Sequence, residues 1–207
     1  MKEHPIIFKG EMVKAILEGR KMMTRRPIKK QPPEDTTRIT LINGNWCFFG
    51  GISGDRHYLD FDQKCPYGIP EDRLWVRETW GRIYRGGIYS EDIIYKCDRP
   101  DSKELIKQWR SPIHMPRHAS RITLEIINIK VERVQEITEE DAIKEGIIRR
   151  EDDADSLGGY FPGNCEKAKT AFRILWNSIY NKFAWDRNEW VWAIEFKSIT
   201  EAGQRGK

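Results

Sequence analysis

Apolar positions along this chain recur mostly with a period of two, and in three stretches they recur at helical spacing instead. Pro5-Ile6-Ile7-Phe8 predicts a short first strand. Met12, Val13, Ile16 and Leu17 then fall on one helical face, and Gly19 stands where a helix C-cap glycine is expected. Pro27 and Pro32-Pro33 prevent the segment leaving that helix from becoming helical itself. Residues 38–42 and 45–49 are β-rich runs around Asn43-Gly44, a hairpin signal. Arg73 to Trp80 alternates as a half-buried strand, and Ile83-Tyr84 with Gly87 to Tyr89 and Ile93 to Tyr95 predicts a second hairpin.

The longest β signal runs from Arg121 to Val134. Ile122, Leu124 and Ile126 share one face, whereas Ile127, Ile129 and Val131 share the other, which predicts a bend or bulge near 126–127. Thr138 with Asp141 forms a capping-box pattern, Glu139 and Glu140 suit a helix N-terminus, and Gly146 ends that helix after Glu145. Ala168, Ala171, Phe172, Leu175, Trp176 and Ile179 mark an amphipathic third helix, and Trp190 to Phe196 a closing strand. The expected fold is a β-rich α+β protein, an irregular barrel flanked by helices. One domain over 1–200 accounts for the pattern, with insertions at about 28–70, 81–115 and 149–163 and a flexible tail at 201–207.

Composition narrows the class. With 39% hydrophobic residues, 33% charged and 8 Trp in 207 residues, the chain has the aromatic content that disordered chains lack. The net charge of +4 is too small for a non-specific nucleic-acid coat. Its distribution is uneven: Arg20, Lys21, Arg25, Arg26, Lys29 and Lys30 cluster without an acid among them, while Glu139 to Asp141 and Glu151 to Asp153 are acidic. That polarity suits an anionic partner, although a solvated charged surface is at least as common. The 4 Cys are scattered and no secretory signal or membrane-length apolar run is present, so the expected setting is a reducing cytoplasm.

Glu145 breaks a local rule. It falls at the negative end of a helix whose other acids sit at the favourable end, a placement that suits a general acid or base if the residue is also buried. An exposed Glu145 paired with Lys144 or Arg149 is the commoner outcome. Lys21 and Thr24 leave the first helix together, and a Thr hydroxyl becomes a nucleophile only beside a base such as a desolvated Lys.

These residues fall within a larger resemblance. Ala15-Ile16-Leu17-Glu18-Gly19-Arg20-Lys21-Met22-Met23-Thr24-Arg25-Arg26 resembles the signature of the ASCH family, an apolar helix followed by G-x-K-x-x-[ET]-x-R. Ala142-Ile143-Lys144-Glu145-Gly146 resembles that family's A-x-x-E-G motif, and Trp192-Ala193-Ile194-Glu195-Phe196 its closing strand. The runs Asp72 to Trp80 and Ile113 to Ile122 are similar to a larger phage and prophage subgroup, which would place the chain in a host cytoplasm. The resemblance implies a PUA-like β-barrel that handles RNA or nucleobases. Some small bacterial ASCH proteins are amidohydrolases acting on N(4)-acetylcytidine, and their catalytic Lys, Thr and Glu match Lys21, Thr24 and Glu145. Many ASCH proteins carry Glu at the Thr position, so Thr24 points toward the hydrolases. The implied roles are activation of the Thr24 hydroxyl or a water by Lys21, proton delivery to the leaving amine by Glu145, and pocket shaping by Arg26. No cofactor is implied.

Two other readings stay open. A non-catalytic module would hold a modified nucleoside or RNA, with Arg25, Arg26, Lys29 and Lys30 on phosphates and Trp75, Trp80 or Tyr84 stacking on bases. Core packing is the commoner role for any one of these aromatics. His114, Arg117 and His118 around Pro116 read as a rigid polar loop facing a ligand. A metal held by His57 and Cys65, or by Cys97, His114 and His118, lacks the close ligand pairs of structural sites.

Overall fold

The computed structural model describes residues 1–42, 45–50, 56–57, 63–100, 106–148 and 168–199. In chain order the first elements are β1 (Glu3–Ile7), α1 (Gly10–Leu17), β2 (Met23–Pro27), β3 (Thr36–Ile42), β4 (Asn45–Gly50) and β5 (Arg56–His57). Next come β6 (Arg73–Arg77), β7 (Trp80–Arg85), β8 (Ile88–Tyr95) and β9 (Thr123–Arg133). Last are α2 (Glu139–Lys144), α3 (Ala168–Tyr180) and β10 (Trp190–Ser198).

Five strands form the main sheet in the order β1-β6-β9-β10-β2, with β1 parallel to β6 and the other neighbours antiparallel. Its inner face packs Ile6, Leu74, Val76, Leu124, Ile126, Ile194 and Phe196 against Val13 and Ile16 of α1. A second core lies on the other side of β10, where Val191 meets Val134, Ala142, Phe172, Leu175 and Trp176 of the helical layer. Strand β10 is thus covered on both faces, which explains its almost unbroken apolar run.

The fold is β-rich α+β, and among the described residues no sheet closes into a barrel. Its edge strands nevertheless approach each other, because Arg26 of β2 donates to the Ile7 carbonyl of β1 at 2.6 Å.

The two insertion ranges within the described residues carry sheets of their own. Strands β3, β4 and β5 form one, its register placing Ile42 opposite Asn45 around the expected two-residue turn, while residues 43–44 themselves lie outside the description. Strands β7 and β8 form the other through Gly86-Gly87, whose φ angles of 56° and 89° are those a two-residue hairpin turn requires. The acidic insertion at 149–163 and the tail at 201–207 also lie outside the described residues.

The expected strand from Arg73 to Trp80 is interrupted. β6 stops at Arg77 because Glu78 turns inward, 1% exposed, to accept Arg121 at 2.9 Å and the Cys97 thiol at 3.0 Å, and the chain restarts in the β7–β8 ribbon. The expected bulge in β9 lies where Ile126 pairs with Phe196 and Asn128 with Glu195. Its effect differs from the simple two-face reading: Ile127 is left outside at 49% exposure, and Ile129 and Val131 are re-aimed into the same core as Ile126. No helix among the described residues is long and apolar enough to cross a membrane.

This register makes a stability prediction. Leu124→Ala, at a fully buried position, should cost about 2–5 kcal/mol in a urea melt. Ile127→Thr should stay within about 0.5 kcal/mol of wild type. A large loss from Ile127→Thr would mean the bulge does not expel this side chain.

Candidate functional site

Two helix ends meet at the site. Helix α1 finishes at Glu18, and Gly19 takes φ +74° while its N–H bonds the Ile16 carbonyl and the Arg20 N–H bonds that of Ala15, a Schellman end. Helix α2 finishes in the same way: Gly146 at φ +94° bonds Ile143, and Ile147 bonds Ala142. The residue after one end and the residue before the other, Lys21 and Glu145, then pair as an antiparallel bridge. Gly146 permits this approach, because a Cβ there would lie 3.1 Å from the Ala15 Cβ and 3.2 Å from the Lys21 Cβ.

The side chains follow the backbones. Lys21 Nζ donates to Glu145 Oε2 at 2.7 Å and to the Glu145 main-chain oxygen at 2.8 Å, and among the described residues its third N–H has no acceptor. Neither residue is a surface charge, with side-chain exposures of 0% for Lys21 and 3% for Glu145. Burial pushes the Lys21 ammonium below its ordinary range. The Glu145 carboxylate opposes that shift, and Arg26 and Arg25 reinforce it.

Arg25 takes the second oxygen of the same carboxylate, Oε1, at 3.3 Å. Its remaining donors reach Glu132 of β9 at 2.8 Å and Asp141 of α2 at 2.7 Å. Burial acts to lower this guanidinium, but Glu145, Glu132 and Asp141 outweigh it and the net shift is upward. Asp141 therefore turns to Arg25, and the capping pattern of α2 survives only as the Thr138 hydroxyl accepting from the Asp141 N–H at 3.1 Å.

Strand alternation separates the candidate residues of β2. Arg25, opposite Ala193 and with its guanidinium 5.9 Å from the Phe172 ring, faces the helical layer. Thr24 and Arg26, opposite Ile194 and Trp192, face the inner core. Thr24 is buried at 4%. The Arg26 guanidinium lies 5.1 Å from the Phe8 ring and Lys21 Nζ lies 5.6 Å from the same ring, so Phe8 forms a common apolar floor. Among the described residues the buried Arg26 Nε–H has no partner.

Tyr180, at the end of α3, lies within electrostatic reach of Arg26 and Glu145. Tyr67 also interacts with Arg26. Burial raises both phenols, so at neutral pH they are uncharged and can donate.

The other expected ligand contacts lie elsewhere. Trp75 is on the outer face of β6, opposite to Leu74 and Val76, with Arg77 at 5.1 Å and Arg117 at 6.0 Å from its ring. Arg117 is held by Glu3 at 2.7 and 3.0 Å, and His114 is exposed in a neighbouring turn. Trp80 is a core residue. Tyr84 packs against Tyr89 on the β7–β8 ribbon. Among the described residues no three His, Cys, Asp or Glu side chains are placed to hold a metal ion, and the Cys97 thiol donates to Glu78.

Glu132, Asp141, Phe8, Tyr67 and Tyr180 carried no sequence signal for this site, since each is unremarkable within its own element and acts only through tertiary contact. The assembled group sets a lysine and a carboxylate at hydrogen-bond distance, with the Arg26 guanidinium against the same Phe8 ring as Lys21.

Because Gly19 has open space where a Cβ would go, Gly19→Ala should cost only the backbone strain, about 1 kcal/mol by thermal denaturation. Gly146→Ala must also push Lys21 or Ala15 away and should cost at least about 2 kcal/mol. Equal losses would show that the two helix ends are not in close contact. Comparison with protein-family models, with curated proteins and with solved structures finds no match to this chain.

Proposed function

We propose that this chain is an ASCH-type protein with a PUA-like sheet that acts on nucleosides or RNA, hydrolysing the amide of an N(4)-acyl-cytidine. The observation that carries the reading is the 2.7 Å contact between Lys21 and Glu145, buried together although 124 positions apart. Two motifs read separately in the sequence therefore supply opposite ends of one proton path. The curled sheet, with β1 and β2 drawn together by Arg26, is the observation that favours a PUA-like architecture.

In this reading neutral Lys21 takes a proton from a water or from the Thr24 hydroxyl. The oxygen attacks the acyl carbonyl, and the negative charge on the resulting oxyanion is met by the Arg26 Nε–H. The proton passes from Lys21 to Glu145 and on to the exocyclic nitrogen as the C–N bond breaks. With one water consumed, the products are cytidine and the carboxylic acid; when Thr24 attacks first, the water enters by hydrolysing the Thr24 ester. Phe8 supplies an apolar floor for the base, and the two tyrosines supply neutral donors. Because Lys21 has no exposed surface, substrate must displace a covering side chain, and Arg26 and Tyr180 are the half-buried neighbours.

A second reading is supported by Trp75 with Arg77 and Arg117 beside it, a stacking surface for single-stranded RNA on the outer face of the sheet. That face is opposite to the Lys21 side, so it would act without catalysis.

The pure protein should release cytidine from N(4)-acetylcytidine, and Lys21→Ala or Thr24→Ala should each lower kcat at least ~100-fold. Activity that survives both changes rules the mechanism out. The sign of the pH dependence also follows. A base must be neutral, and burial favours neutral Lys21, so kcat/KM should rise with pH along a limb centred below 10.5, the ordinary lysine value. If no cytidine is released but RNA binds with a salt-dependent affinity that Trp75→Ala weakens, the binding reading is the correct one.

A further inference from the structure

The Lys21–Glu145 pair has a difficulty that Arg25 removes. If Lys21 were the sole partner of Glu145, losing its proton would leave a buried carboxylate without a counter-charge, and an uncompensated buried charge is strongly unfavourable. The pair would then hold its proton, and Lys21 would be a structural cation with no base function. In this protein the two carboxylate oxygens are divided, Oε2 to Lys21 at 2.7 Å and Oε1 to Arg25 at 3.3 Å. Arg25 cannot be deprotonated in a protein, so its charge remains whatever Lys21 does. Its other donors are tied to Glu132 and Asp141, which fixes the guanidinium behind Glu145 on the face of β2 away from Thr24.

We propose that Arg25 is a positioning residue: it clamps Glu145 from the helical side and so frees Lys21 to give up and regain its proton. The inference deepens the hydrolase reading and rests on it for its kinetic consequence alone. Among the described residues the charged and titratable groups around Lys21 are few. Glu145 faces it from the end of α2, Arg25 and Arg26 from β2, and Tyr180 from α3 by way of Glu145 and Arg26. Tyr67 lies within electrostatic reach of Arg26, Cys65 and Tyr180, and β1 leads into apolar Phe8. Glu132 and Asp141 face Arg25, while Lys144 turns away to Glu195 at 3.0 Å.

Every effect of removing Arg25 has the same sign. A neighbouring positive charge disappears, Glu145 is left to Lys21 alone, and two carboxylates lose their partner. All three hold the proton on Lys21 more tightly. Removing the outer carboxylates acts in the opposite direction, because Arg25 then has only Glu145 to serve.

The test is a direct titration of Lys21 by NMR in protein labelled at the lysine Cε and Nζ, its signal assigned by its absence in Lys21→Met. In Arg25→Gln the midpoint should move up by at least about one pH unit, tenfold less neutral amine at a given pH below it. Arg25→Lys, which keeps the charge, should return it toward wild type. In Glu132→Gln/Asp141→Asn the midpoint should move down. Those two carboxylate side chains are 17% and 22% exposed, so this variant decides the matter if Arg25→Gln fails to fold. Midpoints that stay at the wild-type value, or a double variant that moves upward, overturn the proposal. Where the wild type hydrolyses N(4)-acetylcytidine, the rising limb of kcat/KM should follow the same shifts, and a loss of kcat with an unmoved limb would assign Arg25 a structural role only. A wild type inert toward that substrate ends the hydrolase reading, while the titration still decides the role of Arg25.

Discussion

A lysine and a glutamate buried against each other organise the rest of this structure. Such a pair is a poor way to gain stability, since the cost of removing two charges from water can exceed their attraction, and apolar residues of similar volume often do as well. Here it is also geometrically demanding. Two helices must end close to the contact, their C-terminal carbonyls must be satisfied, and their backbones must come nearly into touch. The glycines at 19 and 146 meet the first two requirements through Schellman ends, and Gly146 alone meets the third, because only there would a Cβ collide. The sheet then continues the arrangement: Met22, between Lys21 and β2, donates to the Lys144 carbonyl and accepts from the Phe196 N–H.

Local chemistry made much of the fold legible. The capped ends of α1 and α2, the hairpin registers of β3–β4 and β7–β8, and the bulge in β9 all follow from residues close together in the chain, and each occurs where turn residues and period placed it. The break after Arg77 was not legible, because it depends on Glu78 meeting Arg121 and Cys97, which are distant in sequence. The same limit applies to Ile127: a phase change announces a bulge, but not which side chain the bulge expels.

The candidate site divides along the same line. Lys21 and Glu145 were singled out by the motif resemblance, since taken alone a surface lysine and an exposed glutamate were the commoner readings, and the tertiary fold joins them. Arg25 read as one more cation in a basic cluster. In the structure its side chain has no exposed surface and holds three carboxylates, so it is not placed to meet a phosphate. Charge runs do not reveal which member turns inward; that depends on the parity of the strand and on acids brought in by other elements. Trp75, His114 and Arg117 were grouped with the site by residue type, and strand parity places Trp75 on the other face of the sheet.

Parity also explains how one short strand performs two tasks. Successive residues of β2 project to opposite sides, so Thr24 and Arg26 lie with Phe8 on the inner side while Arg25 lies with Phe172 on the helical side. Glu145, arriving from the end of α2, is the group that both sides reach, one oxygen for each. A ligand on the Phe8 side would therefore meet Lys21 and Arg26 without touching Arg25, while the charge that stabilises Glu145 is held out of its reach by Glu132 and Asp141. Moving Arg25 by one position along the strand would take it off the helical side and leave Glu145 dependent on Lys21. The order Lys21-Met22-Met23-Thr24-Arg25-Arg26 is thus a spatial arrangement as well as a motif, with Thr24 and Arg26 on one face and Arg25 with its three carboxylates on the other.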